Sequence, residues 1–193
     1  MTYIIPRYPV HLIDVMHVPG GRITLRPTLP QDAELQRQFF RSLSPEARHR
    51  RFMTQLDGLP ETLIERFASI DYHTHLALLA EVFEDGRETM IGEARYVVDE
   101  REPDTCEFAI AVADGWRARG IARSLLTRLE RQAAASGLRR MVADTLLGNA
   151  AMIGLARRAG FMVKAMGDDD GLARLEKSLF PPVPSLPSQP VAA

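Results

Sequence analysis

The run Glu107-Phe-Ala-Ile-Ala-Val-Ala-Asp-Gly-Trp-Arg117-Ala-Arg-Gly120-Ile-Ala122 carries the strongest chemical signal in the sequence, because apolar alternation gives way to small residues and then to helical spacing. A strand that turns directly into a helix leaves the first N–H groups of that helix without partners, and the helix dipole favours an anion there by about 0.3–1 kcal/mol. Gly120, Ile121 and Ala122 open the helix; small side chains at 120 and 122 would let a diphosphate approach the backbone. Arg117, Arg119 and Arg123 flank Ala118 and can add charge at the rim. An ordinary turn is the alternative. On the same strand Phe108, Ile110 and Val112 alternate to one face, so Glu107 leaves by the other and is a candidate general base. Arg95 is an alternative, purely structural partner for that carboxylate.

The elements that must hold this run can be read around it. Val10–Met16 and Ile23–Leu25, separated by Pro19-Gly20-Gly21, predict a hairpin. Leu35, Phe39 and Leu43 mark a helix from Asp32 to Ser42 with Asp32 as its N-cap, and Ser44-Pro45 predicts the cap and first residue of the next. Arg48, His49, Arg50 and Arg51 on that second helix read as a solvated face, with a polyanion contact as the alternative. A short helix follows from Leu59-Pro60 to Phe67. Leu76–Phe83 and Met90–Val98 flank Asp85-Gly86 as a hairpin, and Cys106–Val112 adds a third consecutive strand. Gly120–Ser136 is helical and stops at Gly137; Met141–Thr145 is a strand; Asn149–Ala159 is a helix closed by Gly160. Phe161–Met166 and Leu172–Leu179 are two last strands around the acidic turn 168–171, and the five prolines after Phe180 predict a disordered tail over 181–193. The order predicts an α/β (α+β) domain: a mixed central sheet of about seven strands with helices on both faces, spanning residues 22–180 after an N-terminal extension at 1–21.

Composition narrows the classes. A chain of 193 residues with 46% hydrophobic and 25% charged residues suits one globular core. A net charge of -1 removes the global electrostatic case for nucleic acid or an anionic membrane. Cys106 is the single cysteine, so nothing asks for an oxidising compartment, and no signal peptide or spanning run is seen; a soluble, cytoplasmic protein is expected.

The motif Arg117-x-x-Gly120-x-Ala122 after a strand resembles the central motif of the GNAT superfamily of acyl-CoA-dependent N-acyltransferases. The likeness continues at Asn149-Ala-Ala-Met152-Ile-Gly-Leu155-Ala-Arg-Arg-Ala-Gly160-Phe161, and upstream through Leu25-Arg26-Pro27, Leu43-Ser44-Pro45-Glu46, Arg50-Arg51-Phe52 and Ile70-Asp71-Tyr72. The upstream set is similar to the acetyltransferase domain of bacterial Pat-type protein lysine acetyltransferases. The resemblance implies a GNAT fold and acetyl-CoA as cosubstrate, its diphosphate held by the turn. It also implies backbone contacts from Ile110, Ala111 and Val112 to the pantetheine arm and acetyl carbonyl, and further contacts from Asn149 and Met152. A protein lysine is then the expected acceptor; a small-molecule amine, or an acyl-CoA sensor without turnover, is the alternative. Oligomeric state stays open between monomer and homodimer.

An amine of pKa about 10.4 is neutral at pH 7 in roughly one molecule in 2,500, a deficit of roughly 4.6 kcal/mol, so a base must take its proton. The resemblance also implies Glu107 in that role; partial burial would raise its basicity. Many members of the superfamily carry a tyrosine after the leucine equivalent to Leu155, as general acid for the departing thiol; here Ala156 stands there. Cys106 should point into the core, away from Glu107. His73 and His75 lack partners at ligand spacing, so no metal is expected. Trp116 reads as packing.

Overall fold

The computed structural model describes residues 8–19, 21–54, 60–84, 86–167 and 171–180. Eight strands form one sheet: β1 (Asp14–Val18), β2 (Gly21–Pro27), β3 (His75–Glu84), β4 (Arg87–Val98), β5 (Thr105–Val112), β6 (Arg140–Leu146), β7 (Met162–Met166) and β8 (Leu172–Ser178), in the order β1-β2-β3-β4-β5-β6-β8-β7. Five helices accompany them: α1 (Ala33–Ser42), α2 (Pro45–Phe52), α3 (Glu61–Ala68), α4 (Ile121–Ala135) and α5 (Ala150–Arg158). The expected mixed sheet is present, and the hairpin expected at the N-terminus supplies its first two strands: β1 pairs antiparallel to β2, from Asp14↔Leu25 to Val18↔Gly21, which brings the sheet to eight strands where about seven were expected. The tail 181–193 and the acidic residues 168–170 lie outside the described residues.

Strand alternation builds two cores. On one face Leu76, Leu78 and Ala80 of β3, Ala94 and Tyr96 of β4, and Cys106 and Phe108 of β5 pack against Ile121, Leu125, Leu126 and Leu129 of α4. On the other, Leu79 and Met90 meet Phe39, Phe40, Leu43, Ala47 and Phe67 from α1, α2 and α3. Each large apolar side chain removed from water contributes about 1.5–3 kcal/mol, so both layers hold the sheet. Helices lie on both faces, as the order of elements predicts. Among the described residues no helix is long and apolar enough to cross a membrane.

Two irregularities interrupt the sheet near its middle. A register shift after Ala80/Glu81 leaves Ile91 of β4 as a bulge, and its carbonyl accepts from the Ala113 amide at 2.8 Å. β5 and β6 run parallel but pair only at Thr105↔Arg140, Cys106↔Met141 and Glu107↔Val142. Beyond Glu107 the strands part, and the β6 side of β5 has no strand partner from Phe108 to Val112. Antiparallel pairing on both flanks, with β4 and with β8, keeps the two halves from closing up.

Helix starts follow local chemistry with one correction. Ser44 caps α2 by accepting from the Ala47 amide at 3.2 Å, with Pro45 in the first turn. Asp32 occupies the position before α1 but does not cap it. Its carboxylate accepts instead from Arg26 at 2.7 and 3.1 Å and from the Leu29 amide at 2.7 Å, because a nearly buried arginine is a stronger partner than a helix N–H.

Candidate active site

The parting of β5 and β6 opens a cleft of about 780 Å³. Phe108, Ala109, Ile110, Ala111 and Val112 form one wall, and Ala143, Asp144, Thr145, Asn149, Met152 and Leu155 form the other. At one end the chain passes through the short turn Asp114–Trp116 into α4. Ala118 has φ 60° and Gly120 φ 80°, so left-handed residues alternate with Arg119 between them. Such alternation turns successive N–H groups to one side, the geometry of an anion nest. Among the described residues no carbonyl accepts from the amides of residues 118–123; the first bond of the helix is Ser124 to the Gly120 carbonyl, at 2.9 Å. A Cβ placed on Gly120 would meet nothing within 4 Å, so the space before those donors is open and glycine is required for its backbone angle rather than for room.

The charged residues at this end divide. Arg117 and Arg123 line the cleft and are exposed. Arg117 is braced by Asp114 at 2.8 Å, and Asp114 also accepts from the Ser44 amide and hydroxyl at 3.1 and 3.2 Å, which ties α2 to the turn. Arg119, expected at the rim, does not line the cleft. Its guanidinium lies over the Trp116 ring at 4.6 Å and donates to the carbonyls of Pro19 and Gly115. It pins the β1–β2 hairpin to the turn, because those carbonyls and the ring are nearer than open solvent.

Asn149 is 8% exposed and lines the cleft, but its amide already works for the fold. Oδ1 accepts from the Met152 amide at 3.2 Å, capping α5, and Nδ2 donates to Thr145 Oγ1 at 3.2 Å. Its second amide hydrogen and one lone pair of Oδ1 are left for a ligand.

Glu107 sits where the strands part, lining this cleft and a second cavity of about 590 Å³ beyond it. Its register partner on β4 is Val97, and the alanines Ala109 and Ala111 that follow on the same face leave room above the strand. It is exposed, where partial burial was expected. Arg95, the alternative partner, is turned away: Nε and Nη2 donate to Glu93 at 2.6 and 2.8 Å, and its guanidinium lies 3.5 Å from the centre of the Phe67 ring. Cys106 faces the core as expected, and burial pushes its thiol up to about 12. Ala156 is fully buried, and the cleft lining contains no tyrosine, cysteine or histidine. The described residues contain no cluster suited to a metal.

Sequence reasoning missed several lining residues. Ala47, Arg50 and Arg51 share one face of α2 at i, i+3 and i+4, and Ala151, Leu155 and Arg158 share one face of α5; all six line the cleft. Helical spacing gave that signal. The expected solvated cluster on α2 is in fact split: Arg50 pairs with Glu46 at 2.6 Å, Arg48 donates to the carbonyls of Arg41 and Leu43, and the Arg51 side chain is only 9% exposed. Arg51 lies under Phe52 and Phe67 at 4.8 and 5.7 Å from their ring centres. Glu93 was also missed, and Arg95 was read only as a partner for Glu107, since a buried ion pair on an otherwise apolar strand leaves no periodic trace.

Comparison with known proteins fits this geometry. Residues 35–161 match the family described as Acetyltransferase (GNAT) family. Acetyltransferase PA5475 of Pseudomonas aeruginosa is 33% identical over 150 residues, covering 78% of this chain and 80% of that protein. Acetyltransferase Pat of Mycolicibacterium smegmatis is 30% identical over 171 residues, which cover 89% of this chain and 50% of that protein; the chain therefore spans about half of that relative. Among solved structures, the GNAT domain of S. lividans PAT superposes with a TM-score of 0.79 at 29% identity, over 89% of this chain and 99% of that one.

Proposed function

This chain belongs to the acetyltransferase (GNAT) family, and from that premise we propose that it moves the acetyl group of acetyl-CoA to a primary amine across Glu107. The observation that carries the reading is one continuous cleft with a nest of free amides at residues 118–123 at one end and a carboxylate at the other. The nest, the exposed Arg117 and Arg123, and the open space before Gly120 fit the diphosphate of the cosubstrate. The unpaired side of β5 from Phe108 to Val112 offers peptide groups to an extended arm, as a sheet edge does to an added strand. Met152 and Leu155 add apolar wall.

When bound, acetyl-CoA supplies an acyl group already activated as a thioester. Glu107 accepts the amine proton, directly or through one water, as the nitrogen forms its bond to the acyl carbon and the carbon–sulfur bond breaks. Exposure of Glu107 favours the water-relayed path, since a solvated carboxylate reaches bulk water without reorganisation. The leaving thiol ionises near the ordinary value of about 8.5, so a cleft without a tyrosine still lets it depart as thiolate.

For the acceptor, the likeness of residues 25–27, 43–46, 50–52 and 70–72 to Pat-type protein lysine acetyltransferases supports a protein lysine. One observation favours a small amine instead. The second cavity is no wide acidic groove: Arg51, Arg66, Arg95 and Arg101 share its lining with Asp99, Glu100 and Glu107, so no excess of negative charge draws in the cationic surroundings of a typical exposed lysine. Calorimetry with acetyl-CoA, followed by thiol release against a panel of amines and proteins, tests the whole reading. Binding with amine-dependent release is expected, and absence of both at millimolar acetyl-CoA refutes it.

A further inference from the structure

Arg51 stands between the two cavities, and acetyl transfer gives it no task. Its side chain is 9% exposed, yet among the described residues its guanidinium makes no hydrogen bond. Nε is buried without an acceptor, and the nearest carboxylate oxygen, Oε1 of Glu93, lies 3.9 Å from Nη2. Glu93 is engaged elsewhere: Arg95 donates to both its oxygens and Gln36 Nε2 to Oε2 at 3.4 Å, and its Oε1 stays beyond hydrogen-bond reach of Arg51. The buried cluster thus sets one carboxylate against two guanidinium groups. His75 adds no charge at neutral pH: burial first, and then Arg95, push its pKa down. Burial pushes Arg51 down to about 10, with Glu93 and Glu107 opposing, so the guanidinium remains charged. Glu107 helps through space but comes within no ion-pair distance.

A nearly buried arginine whose Nε has no acceptor is costly unless an anion completes the fork. The stacked Phe52 and Phe67 rings hold its plane, so a planar carboxylate can be met with both prongs of the fork. The nest is at the other end of the cleft: Arg51 shares both cavities with Glu107, and the nest begins beyond Val112, about 17 Å along β5 from Glu107 at the usual strand rise.

We infer that Arg51, which lines both cavities beside Glu107, receives a carboxylate of the second substrate, so that the acceptor is a free amino acid or a similar amino-carboxylate. This inference rests on the acetyl-transfer reading. A carboxylate at the far end of a dicarboxylic acyl donor would bring the same chemistry to the same junction, and the test separates the two sources.

The full chain, with the R51Q and R51K variants, is assayed for thiol release with acetyl-CoA and with succinyl-CoA. The acceptors are the twenty common L-amino acids, their carboxamides and a lysine-containing peptide. Calorimetry with acetyl-CoA and a melting curve accompany each variant. Expected is at least one amino acid used about 10–100-fold better than its amide, as a charge-assisted bidentate contact allows. R51Q should bring that ratio near one through KM, R51K should leave an intermediate ratio, and acetyl-CoA affinity should stay unchanged in both. If R51Q does not fold, the wild-type ratio and R51K decide. Equal use of acids and amides, no turnover of any amino acid, or an R51Q variant that keeps the ratio each overturns the inference while leaving acetyl transfer standing. A wild-type preference for succinyl-CoA that vanishes in R51Q, with acid and amide acceptors equal, moves the carboxylate to the donor and also overturns it. Failure of acetyl-CoA to bind the wild type overturns the acetyl-transfer reading itself.

Discussion

At the scale of single residues, the site rests on two carboxylates fourteen positions apart with opposite environments. Glu93 is buried among arginines, and its carboxyl is held below the usual carboxylate range because Arg95, Arg51 and His75 together outweigh the desolvation that would raise it. Glu107 is exposed at the mouth of the cleft. Only the second can exchange protons with a substrate and with bulk water. Glu107→Gln should therefore lower kcat by about 10²–10⁴-fold, the usual worth of a general base, with acetyl-CoA affinity unchanged. Steady-state kinetics beside calorimetry checks this, and a variant with undiminished kcat would remove Glu107 from the reaction. Glu107 was legible from strand alternation alone, because Phe108 fixed which face it left. Its exposure was not, since that depends on how far β6 stands away.

At the scale of elements, the turn into α4 is the piece most fully written in the sequence. Small residues, a glycine and a following apolar stripe at helical spacing are local facts, and the local backbone follows from them. Gly120 lies in the left-handed region at φ 80°, where a Cβ costs about 1–2 kcal/mol. Gly120→Ala should lower stability by about 1 kcal/mol and raise KM for acetyl-CoA by about tenfold as the nest relaxes, with kcat little changed. Melting curves and kinetics read the two effects separately; an unaltered KM would detach the turn from cosubstrate binding. Arg119 departs from its expected role for a related reason. Sequence places it at the helix start, but the Pro19 carbonyl that takes it up belongs to a hairpin a hundred residues away. Helix α2 shows the same limit: its cap Ser44 and first residue Pro45 are local and legible, while the burial of Arg51 needed α3 to deliver Phe67.

At the scale of the whole molecule, the two cores clamp a sheet that is split beyond Glu107, and buried charge between sheet and helices makes the clamp sensitive to acid. His75 donates through Nδ1 to the Ser69 carbonyl at 2.8 Å and accepts from Arg95 Nη1 through Nε2 at 3.1 Å. Its pKa is depressed below 6.5, so the unfolded chain binds a proton first as pH falls through that value and stability is lost from there down to the folded pKa. Glu93 is depressed below 4.5, so its contribution is present above that pH and disappears as pH falls further. Melting temperature should thus fall in two stages, below about pH 6.5 and again below about pH 4.5. His75→Gln should flatten the first stage alone, and a variant whose melting curve keeps the wild-type slope between about pH 7.5 and 5.5 would exclude His75 as its source.

By itself the sequence determined the order of elements, the Ser44 cap of α2, the strand alternation that aims Glu107 and Cys106 oppositely, and the glycine-dependent turn, because each is set by residues within a few positions of one another. Tertiary structure alone decided that β5 and β6 part after three pairs, that Arg119 holds a hairpin instead of a ligand, and that Arg51 and Glu93 share one buried pocket. Those outcomes are settled by contacts between segments far apart in the chain, where packing and the pairing of buried charge outweigh any local preference.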